Sequence, residues 1–256
     1  MKRLLRQGKF SVMFALFCMM SSSVASAQAA GAPGVSRQLV LLMALAVLAM
    51  VPFVVMMVTS FVKVAVVLSL VRNALGTQQV PPNLIITGLS LILTVYVMLP
   101  VGTEMYRAAG DVITQTTNQP MLSQASIELI KEGASKAKEP LRAFLNKHAH
   151  EGEKQLFYNL SLKLRVNEED RKEITQQDFI NLVPAFVISE LSEAFQIGFV
   201  IFLPFLVVDL VVANILLALG MFQISPVTLS LPFKLLLFVL VDGWHLIAKG
   251  LILGYV

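Results

Sequence analysis

The sequence has one cysteine among its 256 residues, and only 14% of the residues are charged. Cys18 falls in an N-terminal segment that we expect to be removed, so disulfide and thiol chemistry are excluded from the mature chain. Low charge combined with 56% apolar residues excludes an ordinary soluble globular protein. The net charge of +4 equals the contribution of Lys2, Arg3, Arg6 and Lys9 alone. The rest of the sequence therefore has no net charge and no basic patch that would indicate a nucleic-acid partner.

The common signatures of enzymes are also missing from the sequence. It has no glycine-rich phosphate loop, no G-x-S-x-G motif and no aspartate pair suited to an intramembrane protease. His148, His150 and Glu151 are the only cluster of metal-ligand residue types, and they lack the histidine spacing of H-E-x-x-H. We interpret this cluster as a solvated helix face. The sequence predicts no enzyme activity, no metal and no cofactor.

The first 27 residues have the pattern of a secretory signal peptide. A basic start is followed by an apolar run, Phe10–Met20, and by the small residues Ala25-Ser26-Ala27. We expect cleavage between Ala27 and Gln28, which leaves residues 28–38 as a flexible mature N-terminus. The alternative is an uncleaved first membrane helix, but the apolar run is too short to span a bilayer core of roughly 30 Å.

Residues 39–101 predict a first helical hairpin. Its two apolar spans are Leu39–Val58 and Leu84–Val101, and the turn between them is Asn73–Asn83, which contains glycine and two prolines. Lys63 follows the first span. With the mature N-terminus exported, the positive-inside rule places this lysine on the cytoplasmic side.

The remaining chain divides into a polar part and a second apolar part. Residues 102–178 hold most of the charges and have apolar residues at helical spacing, which predicts short amphipathic helices outside the bilayer. Residues 179–256 contain two apolar runs around a loop at 221–228. The predicted fold is an all-α membrane protein with long kinked helical hairpins and a small amphipathic-helical extramembrane domain.

A stripe of polar residues follows the start of the second hairpin. Ser189, Ser192, Glu193 and Gln196 recur at helical spacing, with Glu190 beside them. Such a stripe either lines water or packs against a polar partner helix. The alternative is that the two glutamates lie above the bilayer, because they precede the main apolar run.

Asp209 and Lys234 are single charges inside the two apolar runs. An unpaired charge deep in a membrane helix costs about 2.5–3.5 kcal/mol, so each should have a partner. Counted along an ideal hairpin, the two residues differ in height by roughly 10 Å. We therefore predict a salt bridge between Asp209 of one subunit and Lys234 of another.

Several long segments of this chain resemble one known family. They are TSFVKVAVVLSLVRNALGTQQVPPN, PLRAFL, PAFVISEL, AFQIGFVIFLPF and LPFKLLLFVLVDGW. Together they are similar to the R component (SctR, or YscR-like) of the type III secretion export apparatus, which is related to flagellar FliP. The segments SFVK, NILLALGM and SPVTLSLPFK favour the virulence branch, whereas the signal peptide and AFQIGF are closer to the flagellar branch. We favour the virulence branch.

The resemblance implies a non-enzymatic export gate in the bacterial inner membrane, multi-pass and with a periplasmic domain. The family forms a homo-oligomer, a pentamer, with small S subunits and a T subunit, next to other membrane components of the apparatus. Unfolded secreted proteins pass through the channel, and part of each hairpin is lifted toward the periplasm. The family's methionine-rich gating loop aligns with Met221, Phe222, Gln223 and Ile224, where this chain reads Met-Phe-Gln instead of three methionines.

Three other interpretations remain open at this point. The first is a flagellar export subunit of the same family. The second is a small-solute transporter, which often has inverted repeats that this sequence lacks. The third is a structural membrane scaffold without a channel, in which residues 221–224 are a plain hairpin turn.

Overall fold

The computed structural model of the chain describes residues 37–77, 80–113, 124–165, 171 and 174–256. The elements in these ranges are eight α-helices, which confirms the all-α prediction. They are α1 (Arg37–Met57), α2 (Phe61–Ala74), α3 (Asn83–Ile113), α4 (Gln124–His148), α5 (Glu151–Leu164), α6 (Phe179–Ala218), α7 (Pro226–Leu240) and α8 (Gly243–Leu253). The predicted signal cleavage between Ala27 and Gln28 lies outside the described residues.

The chain divides into two compact units, Met1–Ala49 and Met50–Val256. In the first unit, the large apolar side chains of α1 are exposed, among them Leu42, Met43 and Val47. A helix that exposes apolar side chains on every face is typical of a membrane span. The second unit contains the remaining helices and both hydrophobic cores.

Among the described residues, two helices are long and apolar enough to cross a membrane, namely Asn83–Gly110 of α3 and Phe179–Ala218 of α6. Two more spans result if α1 with α2, bent by 66°, and α7 with α8, bent by 60°, each count as one broken span. These helices agree with the prediction of a membrane protein. The 40 residues of α6 extend over about 60 Å, roughly twice the thickness of a bilayer core.

The helix boundaries agree with the prediction for the first span and differ for the second. In the first apolar segment the chain stays helical through Pro52 and α1 ends at Met57, one residue before the predicted end of the span at Val58. The second predicted span ends at Val101, but α3 continues to Ile113. The prediction used hydropathy, which shows only where the apolar run ends. Glutamate and arginine are good helix formers, so the helix continues through Glu104 and Arg107.

The two cores join helices that are distant in sequence. The first core packs α2 against α3, α6, α7 and α8. The second core combines Phe144 and Leu145 of α4 with Leu182 and Phe186 of α6. The amphipathic stripe of the polar segment 102–178 thus packs against the apolar helices, and the segment shares a core with them. Sequence periodicity predicted this stripe but not what it covers.

Candidate functional site: two buried ion pairs and an exposed loop

The first ion cluster lies between α2 and α6. The side chain of Lys63 is 2% exposed, and its Nζ is 3.1 Å from Glu190 Oε1 and 2.6 Å from Glu193 Oε2. Glu190 and Glu193 are three residues apart, so both point from the same face of α6 toward α2. The ring of Tyr255 lies 4.2 Å from Lys63 Nζ, and its hydroxyl donates a hydrogen bond to Glu190. One buried ammonium group therefore contacts two carboxylates, of which Glu190 is buried and Glu193 is half-buried.

The sequence pattern predicted that Lys63 lies beyond the end of a membrane span, but it did not predict what Lys63 contacts. In the structure α2 begins at Phe61 after the break and carries Lys63 along α6. The cytoplasmic location of Lys63 stays a prediction. The two glutamates supply the counter-charge that makes its burial possible.

The cluster continues to the turn between α4 and α5. The Nε2 atom of His150 is 2.7 Å from Glu193 Oε1, and the backbone N–H of His150 donates to Ser189 Oγ over 2.8 Å. The Ser189 hydroxyl in turn donates to the Ala185 carbonyl at 2.8 Å. His150 therefore links the polar segment to α6 through Ser189 and Glu193.

The predicted polar stripe splits into two groups. Ser189, Glu190 and Glu193 take part in the cluster, whereas Ser192 and Gln196 are exposed. The first group packs against a partner helix, which was one of the alternatives for the stripe. This helix is α2, and its polar group is Lys63. The buried face of α6 is centred closer to Glu190 than the sequence pattern suggested, which leaves Ser192 and Gln196 at its edge.

The interpretation of the histidine cluster as a solvated helix face is wrong for His148, which is half-buried against aromatic rings. The ring centroid of His148 is 4.8 Å from that of Phe144 and 5.0 Å from that of Tyr255. Burial, aided by the nearby Lys147 and Lys63, lowers the pKa of His148 from 6.5 to about 4. His148 is therefore neutral at pH 7. Its spacing from Phe144 was the available signal, because it continues the apolar stripe of α4.

The second ion cluster joins α6, α7 and the end of α2. Lys234 Nζ is 2.6 Å from Asp209 Oδ2, and the Lys234 side chain is 3% exposed. The Ser230 hydroxyl donates to the other carboxylate oxygen of Asp209. Lys234 Nζ also lies 3.5 Å from the carbonyl of Ala74, at the negative end of the α2 dipole. Asp209 and Lys234 thus form an ion pair within one chain.

The intersubunit bridge predicted for Asp209 and Lys234 is corrected by this geometry. The prediction assumed that Lys234 lies only a few residues into the returning helix. Because α7 begins at Pro226, Lys234 is eight residues from the start of α7 and Asp209 nine residues from the end of α6. These counts correspond to about 12 Å and about 13 Å of helix, so the two side chains are level.

The loop between α6 and α7 is exposed. Gly220 ends α6 in the left-handed conformation with φ 74°, and the Met221 N–H donates to the Leu216 carbonyl at 2.9 Å. Phe222 is 77% exposed, and Met221, Gln223 and Ile224 are exposed too. The loop ends at Ser225, three residues earlier than predicted, because Pro226 is a favourable first helical residue.

Comparison with known proteins places these features in a family. Residues 44–251 match the model of the FliP family. Yop proteins translocation protein R of Yersinia pestis is 46% identical over 217 residues, which cover 84% of this chain and 95% of that protein. Hypersensitivity response secretion protein HrcR of Ralstonia nicotianae is 43% identical over 84% of this chain and 95% of its own length. Flagellar biosynthetic protein FliP of Bacillus subtilis is 41% identical over 86% of this chain and 93% of its own length. The match over most of the chain, with the all-helical membrane fold, shows that the chain belongs to the FliP family, which the R proteins of type III secretion share with flagellar FliP.

Proposed function

We propose that this chain is a core subunit of a type III protein export gate. Several copies, a pentamer, assemble with small S and T subunits into a channel for unfolded proteins across the bacterial inner membrane. The observation that carries this proposal is the loop 221–224, which presents an exposed phenylalanine at the end of a hairpin fixed by the Asp209–Lys234 pair. The names of the relatives, which refer to translocation and secretion, support the same function.

The amount of exposed apolar surface supports an assembly of several subunits. The described part of one chain contributes two to four candidate spans, too few to surround a passing polypeptide. Between α6 and α7 lies an apolar cavity of about 400 Å³, lined by side chains such as Val208, Val212 and Phe233. Large exposed apolar patches are typical of surfaces that bind other proteins or lipid. The length of α6 also supports the proposal, because about 60 Å of helix exceeds one bilayer core.

The loop is the proposed closing element of the channel. Exposed Met221 and Phe222 have large apolar side chains that can meet those of neighbouring subunits and seal a narrow opening. Phenylalanine is stiffer than methionine, so the seal in this chain is aromatic where a methionine-rich loop would be more adaptable. Gly220 and Pro226 fix both ends of the loop, which keeps these side chains at the tip.

Permeability measurements in cells that produce the complete apparatus test this role. Phe222→Ala is expected to increase the leak of small ions or dyes, while the complex remains assembled and protein export survives in part. Phe199→Ala is a matched control, because Phe199 is 64% exposed on α6 but lies far from the loop in sequence. An unchanged barrier in an assembled Phe222→Ala complex would indicate a plain hairpin turn.

The oligomer itself is tested by native mass spectrometry of the complex in mild detergent. The expected result is several copies of this chain bound to S and T subunits. A monodisperse monomer under conditions that preserve complexes of the apparatus would contradict the proposal.

We assign the chain to a virulence apparatus on the basis of the segments SFVK, NILLALGM and SPVTLSLPFK. The flagellar apparatus is the second candidate, because flagellar FliP of Pectobacterium carotovorum is also 46% identical, over 78% of this chain and 72% of its own length. Deletion of the gene distinguishes the two. Loss of effector secretion with normal motility supports the virulence apparatus, and loss of motility supports the flagellar one.

A further inference from the structure

The turn between α2 and α3 lies against the start of α7. The structure describes this turn at residues 75–77 and 80–82. Within it, Gly76 has the left-handed conformation with φ 75°. A Cβ atom at Gly76 would lie 3.8 Å from Lys234 Nζ and 4.0 Å from Val227 Cγ1. The α2–α3 turn therefore packs directly beside the first residues of α7.

The α2–α3 turn has a fixed shape. The Thr77 hydroxyl donates to the Val80 carbonyl at 2.6 Å, and the Arg72 guanidinium donates to the side-chain oxygen of Asn83 across the turn. Leu75, the first residue after α2, is 3% exposed and belongs to the first core. A turn that is closed by its own hydrogen bonds and packed into a core keeps its position, whereas a loop without such contacts is mobile.

The start of α7 lies between this turn and α6. On the α6 side, Lys234 Nζ is 2.6 Å from Asp209 Oδ2. On the other side, Lys234 Nζ is 3.5 Å from the carbonyl of Ala74 at the end of α2, and Val227 lies beside Gly76. The first part of α7 is therefore held by α6 and by the α2–α3 turn together.

The position of the loop 221–224 depends on where α7 starts. Gly220 follows the end of α6, so α6 fixes one end of the loop. The other end continues through Ser225 into Pro226 and Val227 of α7. A movement of the first turn of α7 therefore moves the loop relative to α6.

We propose that the α2–α3 turn supports the start of α7 and thereby sets the position of the loop 221–224, with Gly76 and Val227 as positioning residues. Most side chains are strained at the φ of 75° that Gly76 adopts, so the turn keeps its place only with glycine or a residue that tolerates this conformation. The inference rests on the proposed function, in which the loop closes a channel, because a seal between subunits requires each loop to be held at one height. The position of the loop is a property of the single chain and can be measured separately.

Distances between two spin labels on the purified chain in detergent test this inference. The labels are attached to Leu203→Cys and Gln223→Cys in a Cys18→Ser background, and excess unlabelled chain removes distances between subunits. Leu203 is exposed on α6, about 25 Å of helix from Gly220, and Gln223 is exposed in the loop. The unchanged turn should give one narrow distance distribution. In Gly76→Ala the left-handed conformation is unfavourable, so a second distance should appear, with a displaced population roughly 5- to 30-fold larger than before.

Three further variants separate the contact with α7 from other effects of a changed side chain. Gly76→Asn should keep one distance, because asparagine tolerates the left-handed conformation and its Cβ atom has ordinary contacts here. Val227→Ala shortens the side chain that meets the turn and should give the same second distance as Gly76→Ala. Thr228→Ala, at the exposed next residue, should keep one distance.

Leu145→Val controls for general loosening. Leu145 is fully buried in the second core, where α4 packs against α6. Its shortening should lower the melting temperature but leave the loop distance unchanged. A lowered melting temperature with one unchanged distance in Gly76→Ala overturns the inference, and so does an equal second distance in Leu145→Val.

Permeability of cells that produce the complete apparatus separates this inference from the proposed function. If both hold, Gly76→Ala increases the leak of small ions or dyes as Phe222→Ala does. A second loop distance in Gly76→Ala, with a tight barrier in both variants, contradicts the closing role of the loop and supports its positioning by the turn. A leak in Phe222→Ala, with an unchanged loop distance in Gly76→Ala, supports the closing role and overturns the positioning by the turn.

Discussion

Lys63 Nζ lies 3.1 Å from Glu190 Oε1, and both side chains are almost completely removed from solvent. The sequence separates the two residues widely, and each lies in an apolar helix where a lone charge would be unfavourable. Their pairing, together with Glu193, makes the contact between α2 and α6 dependent on charge balance as well as on apolar packing.

Removal of one charge from this cluster should strongly destabilise the chain. Lys63→Met leaves Glu190 buried without its counter-charge, which typically costs about 3–5 kcal/mol in free energy of unfolding. Lys63→Met combined with Glu190→Gln should recover part of this loss, because no unpaired charge then remains at the 0% exposed position. Denaturant unfolding in detergent measures both variants. A double variant as unstable as the sum of the two single variants would show that the residues do not interact.

The Asp209–Lys234 pair should be satisfied within one subunit. Asp209→Ala or Lys234→Ala alone is expected to destabilise the chain, and the exchange Asp209→Lys with Lys234→Asp should restore part of the stability. Cysteines at both positions, joined by a short bifunctional thiol reagent in a Cys18→Ser background, should give a product with the mass of one subunit. Crosslinked dimers and larger ladders on a denaturing gel would instead support a bridge between subunits.

Gly198 should be essential for the close approach of α2 and α6. A Cβ atom at this position would collide with the side chain of Leu70. Gly198→Ala is therefore expected to cost about 1–3 kcal/mol, the usual range for an overpacked core. Gly88→Ala is the matched control, because nothing lies within 4 Å of a Cβ atom there and alanine is the better helix former.

Thermal melting in detergent compares the two glycine variants. We expect a lower melting temperature for Gly198→Ala and an equal or higher one for Gly88→Ala. Leu70→Ala should relieve the collision, so the pair Gly198→Ala with Leu70→Ala should lose less than the two single changes added together. Equal melting temperatures for the two single glycine variants would contradict the predicted collision.

His148 should make stability depend on pH in the mildly acidic range. Its pKa is about 4 in the folded chain, whereas an unfolded chain would have the ordinary value of 6.5. Between these values the unfolded state binds more protons, so stability rises with pH. The stability that depends on neutral His148 is fully present above pH 6.5 and is lost as the pH falls toward 4.

Melting temperatures between pH 4 and pH 7 measure this effect. His148→Gln removes the titrating group, so its curve should be flatter over that interval than the curve of the unchanged chain. Subtraction of the two curves isolates His148 from the carboxylates that titrate nearby. Parallel curves would show that His148 has the same pKa in both states.

The helices and the family could be predicted from the sequence. Long apolar runs such as the one in α6 exclude a soluble fold and predict membrane helices, because only helices and closed barrels satisfy the backbone within a bilayer. The resemblance in segments such as PAFVISEL and LPFKLLLFVLVDGW gave the family, which the match over residues 44–251 confirms. The apolar stripe around Phe144 and Leu145 was also visible, as helical spacing reports which face is buried.

The partners of the charged residues were decided only by the tertiary structure. Periodicity shows which face of a helix is buried, but it does not show which helix covers that face or at what height. The pairing of Lys63 with Glu190 depends on the break before Phe61, and that of Asp209 with Lys234 depends on the start of α7 at Pro226. Tyr255 gave no signal in the sequence, because its role comes entirely from the groups that three distant helices bring around it.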